Sequence, residues 1–278
     1  SNPRLDQLWI RLYIGVWRAN FALEGLQNVD ENSYPMKKVR EGEMRFLRGH
    51  FYFLLKELFN RIPYVTPGMD RDAIQNVSNV EFTSDELWDK IAEDFEFATN
   101  NLPNHSPEIG RPDKYAAEAY LAKVRLYQAY RQDANNQVVS INTDNLNEVV
   151  QLTGDIMNLS GYSLVSDYAE KYLYEFDNNI ESIWAIQYSM NDGTSDNRAE
   201  REGALNYPMN DAYGCCSFNR PTQNLVNAFQ TTSTGLPLFE SFNDYNLNST
   251  EDFQTHSFDP RIDHTVGIPG HPYKYQND

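Results

Sequence analysis

Several things are scarce in this chain, and each scarcity excludes something. Only two of its 278 residues are cysteine, Cys215 and Cys216. They are neighbours, so they form no ordinary disulfide staple and say nothing about redox compartment. No run of about 20 apolar residues occurs, which rules out a bilayer-spanning helix. Positive charge is short as well, with 23 Lys and Arg against 40 Asp and Glu and a formal net charge of -17. A nucleic-acid backbone or an anionic membrane surface would be repelled, which leaves neutral or cationic ligands. The P-loop, dinucleotide, G-x-S-x-G and H-E-x-x-H fingerprints are missing. A glycosidase needs two carboxylates set across a bond, but forty acidic residues supply such pairs by chance. Catalysis is not expected, and neither a cofactor nor a bound metal is called for.

What is present is helical periodicity. Hydrophobic residues make up 40% of the chain, enough for a substantial core. A first helix is expected over about 4–27, with Leu5, Leu8, Leu12, Gly15, Val16, Ala19 and Leu23 on one face. The next run, "GEMRFLRGHFYFLLKELFNRIPYV", places Met44, Leu47, Phe51, Leu54, Leu55 and Leu58 on one side. Phe46, His50 and Phe53 lie nearly opposite, and Arg45, Arg48, Tyr52 and Lys56 fill the strip between. A helix apolar on two sides needs two neighbours, as in layered helical arrays. Its rings are therefore assigned to packing, and Arg45 and Arg48 to pairing with carboxylates of adjacent helices or to a partner's surface. Pro63 ends it.

A third helix follows Thr83, which with Glu86 forms a capping signature, and Pro103 lies just past its end. A fourth, "KYAAEAYLAKVRLYQAY", carries a small-residue stripe of Ala119, Ala122, Leu126 and Ala129 that permits close approach of a partner. Asn142 or Thr143 caps a fifth, which ends at Gly161. The pair from Pro112 to Ser160 has the length and texture of a tetratricopeptide-type hairpin. From Asn178 the pattern changes: "ESIWAIQYS" reads as a short strand that buries Trp184, and thirty residues of Asn, Asp, Gly, Tyr and Ser follow with little periodicity. One more helix is expected at "RPTQNLVNAFQ", with Pro221 at its first position. The fold class is thus all-α: a tetratricopeptide-like helical-hairpin array over 1–173, then a loop-rich region with short strands over 174–278.

In this order the segments resemble a known family. "EMRFLRGHFYFLLKELFNRIPYV" is similar to a helix of the SusD/RagB-type nutrient-binding lipoproteins, "GRPDKYAAEAYLAKVRLYQA" to the family's next helix, and "ESIWAIQYS", "RPTQNLVNAF" and "FDPRIDHTVG" to its later segments. The resemblance implies a helical scaffold, a lipid anchor upstream of Ser1, and residence on the outer face of an outer membrane. It also implies partnership with a TonB-dependent, SusC-like transporter and capture of a glycan or peptide. The chain opens directly into helical pattern and closes on polar "GIPGHPYKYQND", so further sequence is expected beyond each end.

Glycan capture needs aromatic faces for sugar C–H groups, with amides, carboxylates and arginines for hydroxyls. The loop from Ser189 to Asn219 offers both, and the candidate ligand-binding residues are Asn191, Asp192, Arg201, Tyr207, Asn210, Tyr213 and Phe218. A loop this long exceeds what a connector requires. The competing reading of each residue is an ordinary surface connection with tyrosines packed on the scaffold. His256, Asp259, Asp263, His264 and His271 cluster His and Asp, but their spacing matches no strong metal site. Asp259-Pro260-Arg261 reads instead as a turn in which the aspartate accepts hydrogen bonds. The expectation is a binding protein that takes an oligosaccharide or other nutrient for a transporter. The alternative is a tetratricopeptide-type protein-interaction scaffold without a small ligand, with a carbohydrate-active hydrolase third.

Overall fold

A computed structural model describes residues 2–133, 135–188, 193, 220–268 and 270. The chain divides into two compact units, one of Ser1–Leu164 with Ile180–Ile186, the other of Val165–Asn179 with Gln187–Asp278.

The first unit is built from long helices. They are α1 (Pro3–Gln27), α2 (Lys37–Phe59), α4 (Ser84–Asn101), α5 (Lys114–Ala129) and α6 (Thr143–Leu159), with a short α3 (Arg71–Asn76) between α2 and α4. Side chains acting on backbone define their starts. Asn2 Oδ1 accepts from the Arg4 amide, and Thr83 and Glu86 close a reciprocal capping box. Of the two cap candidates for α6 it is Asn142 that accepts, from the Asp144 and Asn145 amides.

Named contacts give the stacking order. Trp9 meets Phe59 while Asn20 meets Arg48, so α1 and α2 run antiparallel. The same crossing of high and low numbers joins α2 to α4 (Phe53 to Trp88, Arg48 to Asp94) and α4 to α5 (Trp88 to Tyr127, Phe95 to Tyr120). It also joins α5 to α6, where Tyr115 reaches Leu159 and Arg125 reaches Glu148. Successive hairpins thus form a layered array with α2 covered on both sides, and the fold is mainly helical, as the two-sided pattern of α2 requires. The array leaves no room for side chains where α1 crosses α2: a Cβ on Gly15 would sit 2.5 Å from the Phe51 ring. Phe46, Tyr52, Leu55, Leu87, Ile91, Phe95 and Val124 make the sealed interior. Fully burying each such side chain is worth about 1.5–3 kcal/mol.

Two local expectations are corrected. The run 181–188 is not a strand. Within the first unit its backbone is held by side chains instead: Tyr162 Oη donates to Ile183 O at 3.3 Å, and Trp184 Nε1 donates to Gly110 O at 3.0 Å. A short apolar run cannot signal whether a strand edge awaits it, and this run pairs with no strand among the described residues. Trp184 is half-buried, edge-on to Phe46 at 4.9 Å and to His50 at 5.3 Å. The paired strands found among the described residues are β1 (Tyr130–Gln132) and β2 (Val138–Ile141), an antiparallel hairpin between α5 and α6.

Among the described residues of the second unit, two short helices, α7 (Gln223–Asn227) and α8 (Thr250–Thr255), join three 3-10 turns at Tyr168–Lys171, Tyr174–Phe176 and Pro260–His264. Pro221 does not open α7, because Thr222 is the cap and accepts from the Leu225 amide at 3.1 Å. Val226, Leu247, Phe253, Ile262, Val266 and Ile268 form a small separate core. No helix among the described residues is long and apolar enough to cross a membrane.

Candidate functional site

All seven loop residues singled out in the sequence, Asn191, Asp192, Arg201, Tyr207, Asn210, Tyr213 and Phe218, lie outside the described residues, as do Cys215 and Cys216. His271 does too. Of its His/Asp neighbours, Asp259 accepts from the Arg261 amide and from Arg261 Nε, each at 2.9 Å, so the turn reading holds. His256 stacks on Tyr245 at 4.3 Å, and His264 meets Tyr168 edge-on. Among the described residues no group of three or more His, Cys, Asp or Glu could hold a metal ion.

Arg48 found the carboxylate of an adjacent helix expected of it, whereas Arg45 bonds Glu41 of its own helix at 3.0 Å and lies 3.8 Å from Asp94. Arg48 Nε and Nη2 bind Asp94 Oδ2 and Oδ1 at 2.8 and 2.6 Å, and Nη1 reaches Asn20 Oδ1 at 3.1 Å. Burial opposes the guanidinium's charge, but the two-point bond to Asp94 outweighs it and holds the group above its ordinary pKa. At Arg48 and Tyr52 the polar strip of α2 is therefore interior. Tyr52 Oη donates to Val65 O and accepts from its amide, at 2.8 and 2.7 Å, while Asn20 Nδ2 donates to the same carbonyl. This network fixes the exit of α2 and has no exposed chemistry left for a ligand.

Two openings with aromatic walls lie in the first unit among the described residues. One is a groove of about 400 Å³ between α1 and residues 65–74, lined by Trp9, Ile10, Ile14, Trp17 and Phe21. Trp17 and Phe21 stack on each other at 5.7 Å and stay 58% and 66% exposed. Its walls are mainly apolar, although Asn20, Glu24 and Thr66 also line it, so most hydroxyl groups entering it would lose water without full replacement.

The other opening is a cleft of about 540 Å³ where α2 ends, α4 begins and the β1–β2 hairpin turns. Its floor is Tyr127 on Trp88, parallel within 24° and 4.8 Å apart, with Phe53 edge-on to Tyr127. Polar groups ring it. Lys56 Nζ donates to Asn60 Oδ1 at 2.6 Å and to Ser84 Oγ at 2.8 Å, and Tyr127 Oη donates to Glu57 Oε1 at 2.8 Å. Burial lowers the Lys56 ammonium to about 8, with Asp85 pulling it back up and Arg61 pushing it further down. On the hairpin side, Asp133 Oδ1 accepts the amides of Asn135 and Gln137 and so fixes the turn. Sequence reasoning passed over Tyr127 and Lys56. Trp88 and Tyr127 are 39 positions apart, and only the antiparallel pairing of α4 with α5 makes them one surface.

Known proteins share this architecture. Residues 1–126 match a SusD-like family described as starch-binding and associating with the outer membrane, and 180–278 match the SusD family. A SusD-like protein of Bacteroides ovatus is 25% identical over 189 residues, covering 67% of this chain and 33% of the relative. A SusD-like protein of Bacteroides fragilis superposes with a TM-score of 0.61 at 25% identity, over 85% of this chain and 44% of that one. A third protein, solved with xylogluco-oligosaccharide, gives a TM-score of 0.57 at 22% identity over 68% of this chain and 36% of that one. The chain spans about a third of the curated relative's length. It belongs to the SusD/RagB family, and the model matched by residues 1–126 is described as starch-binding and associating with the outer membrane.

Proposed function

We propose that this chain captures an oligosaccharide at the outer surface of an outer membrane and delivers it to a SusC-like, TonB-dependent transporter. The observation that carries the reading is the match of residues 1–126 to a family described as starch-binding and outer-membrane-associated. The protein of like fold solved with xylogluco-oligosaccharide supports the same ligand class. The helical array is a rigid frame for such a task, because its buried arginine–aspartate pair and stacked rings resist deformation. Membrane attachment is assigned to a lipid anchor upstream of Ser1. The ligand face is assigned to the Ser189–Asn219 loop, where Tyr207, Tyr213 and Phe218 offer stacking faces and Asn191, Asp192, Arg201 and Asn210 offer hydroxyl partners.

Electrophoresis through gels holding a neutral polysaccharide tests this reading. Retarded migration of the wild-type chain and weaker retardation of Tyr207→Ala/Tyr213→Ala is the expected result. Equal retardation of both removes the loop assignment. Co-purification of the transporter with the tagged full protein tests the partnership.

A further inference from the structure

The Tyr127 cleft differs from the α1 groove in the property that decides ligand class. Both have aromatic walls, but the groove is mainly apolar, whereas polar and apolar surface are nearly balanced around the exposed ring of the cleft. Tyr127 is 42% exposed, yet contacts with Trp88, Phe53 and Glu57 hold its orientation. A ring fixed in advance costs little ordering entropy when a ligand stacks on it. Its volume of about 540 Å³ lies within the range of about 300–1,000 Å³ usual for small-molecule sites.

Lys56 is the second observation. Its side chain is buried at the cleft, and its ammonium has three N–H donors, two of which go to the neutral oxygens of Asn60 and Ser84. A buried lysine normally sits against a carboxylate. Here its hydrogen-bond partners are uncharged, the ammonium also lies over the Trp88 ring at 5.5 Å, and it borders the space a ligand oxygen would enter. Arg61, Glu57, Glu81 and Asp133 also line the space. Acids outnumber bases there as they do over the whole chain, so an anionic ligand is disfavoured and a neutral, hydroxyl-bearing one fits.

We propose that this cleft is a saccharide subsite separate from the 189–219 loop, taking a neutral pyranose with its C–H face on Tyr127 and its hydroxyls on Lys56, Glu57 and Asn60. The proposal rests on the reading of the protein as a glycan binder and adds a second point of attachment on the frame itself. A chain held at two points gains effective concentration at each, so modest subsites suffice to retain a long glycan.

The test is fluorine NMR on the chain labelled with 5-fluorotryptophan, which has four reporters, one of them Trp88. The Trp88 signal is assigned with Trp88→Phe. Titration with a neutral xylogluco- or malto-oligosaccharide is expected to shift that signal saturably. Tyr127→Ala is expected to weaken the shift about fivefold to tenfold in affinity. Glu57→Ala, an exposed position that spares the core, is expected to weaken it as well, whereas Tyr207→Ala/Tyr213→Ala leaves it in place. Saccharide binding measured by heat with an unmoved Trp88 signal overturns the subsite and leaves the capture reading standing. Absence of both heat and shift overturns the two together. Equal or tighter binding of a uronate-bearing oligosaccharide overturns the neutral ligand class.

Discussion

The helical array buries mostly charged groups, whereas the described part of the second unit buries two amides, Asn227 and Gln230, and one carboxylate, Asp252. In the array Arg48 and Asp94 pair across α2 and α4, and the surrounding interior is rings and aliphatic side chains. In the second unit Asn227 donates to Asn243 Oδ1 at 3.1 Å and Asn246 Oδ1 at 2.9 Å and accepts the Leu247 amide. Gln230 donates to the carbonyls of Phe242 and Tyr245 at 2.9 and 2.7 Å. A long amphipathic helix satisfies its own backbone and asks only for a packed face. A loop such as 242–249 satisfies little of its backbone, so buried side chains must do it. The comparison teaches that the array is held by packing around ion pairs, of which Arg48–Asp94 has both members buried, and the described second unit by hydrogen bonds around a small core.

That contrast can be broken most forcefully at Asp94. Asp94→Ala strands a buried guanidinium and is expected to cost about 3–5 kcal/mol, read as a lowered urea midpoint. Amide exchange of residues 226–268 is expected to stay unchanged in that variant. Arg48→Met/Asp94→Leu, which removes both charges, is expected to recover most of the loss.

Acid comes next. His50 Nδ1 lies 2.8 Å from Tyr120 Oη in a ring-lined interior, and burial lowers its pKa to about 4, with Lys123 adding to the effect. The unfolded chain takes up this proton near pH 6.5 and the folded chain resists it, so stability falls as pH drops from about 6.5 to 4. The full loss is on the order of 3 kcal/mol, and His50→Gln is expected to flatten this limb of a stability–pH curve.

In the second unit Asn227→Ala leaves the Leu247 amide without its acceptor and is expected to cost about 1–3 kcal/mol. Exchange should quicken at 243–249 and not in α2. The smallest effect is expected at the α4 cap, where Thr83→Ala costs about 1 kcal/mol and shifts the array's thermal midpoint by a few degrees.

Much of the array could be read from the chain. Helical spacing located the five long helices, Thr83 and Glu86 announced their capping box, and the acidic partner of Arg48 was anticipated. The double apolar face of α2 implied coverage from both sides. Less legible was anything decided by pairs distant in sequence. The strip carrying Arg48, Tyr52 and Lys56 read as a border and is interior, since α1 and α4 close over it. The run at 181–188 has strand-like composition but no strand to join, and Tyr127 became part of a cleft only when α5 brought it onto Trp88. The short α3, α8 and the hairpin at 130–141 lacked periodicity long enough to register.

Isothermal titration of the wild-type chain with a panel of neutral oligosaccharides tests the account most directly. Saturable heat with at least one glucan- or xyloglucan-derived oligomer, reduced in both Tyr127→Ala and Tyr207→Ala/Tyr213→Ala, is the predicted result. A folded chain that gives no heat with any member of the panel would contradict it and favour a protein-interaction scaffold.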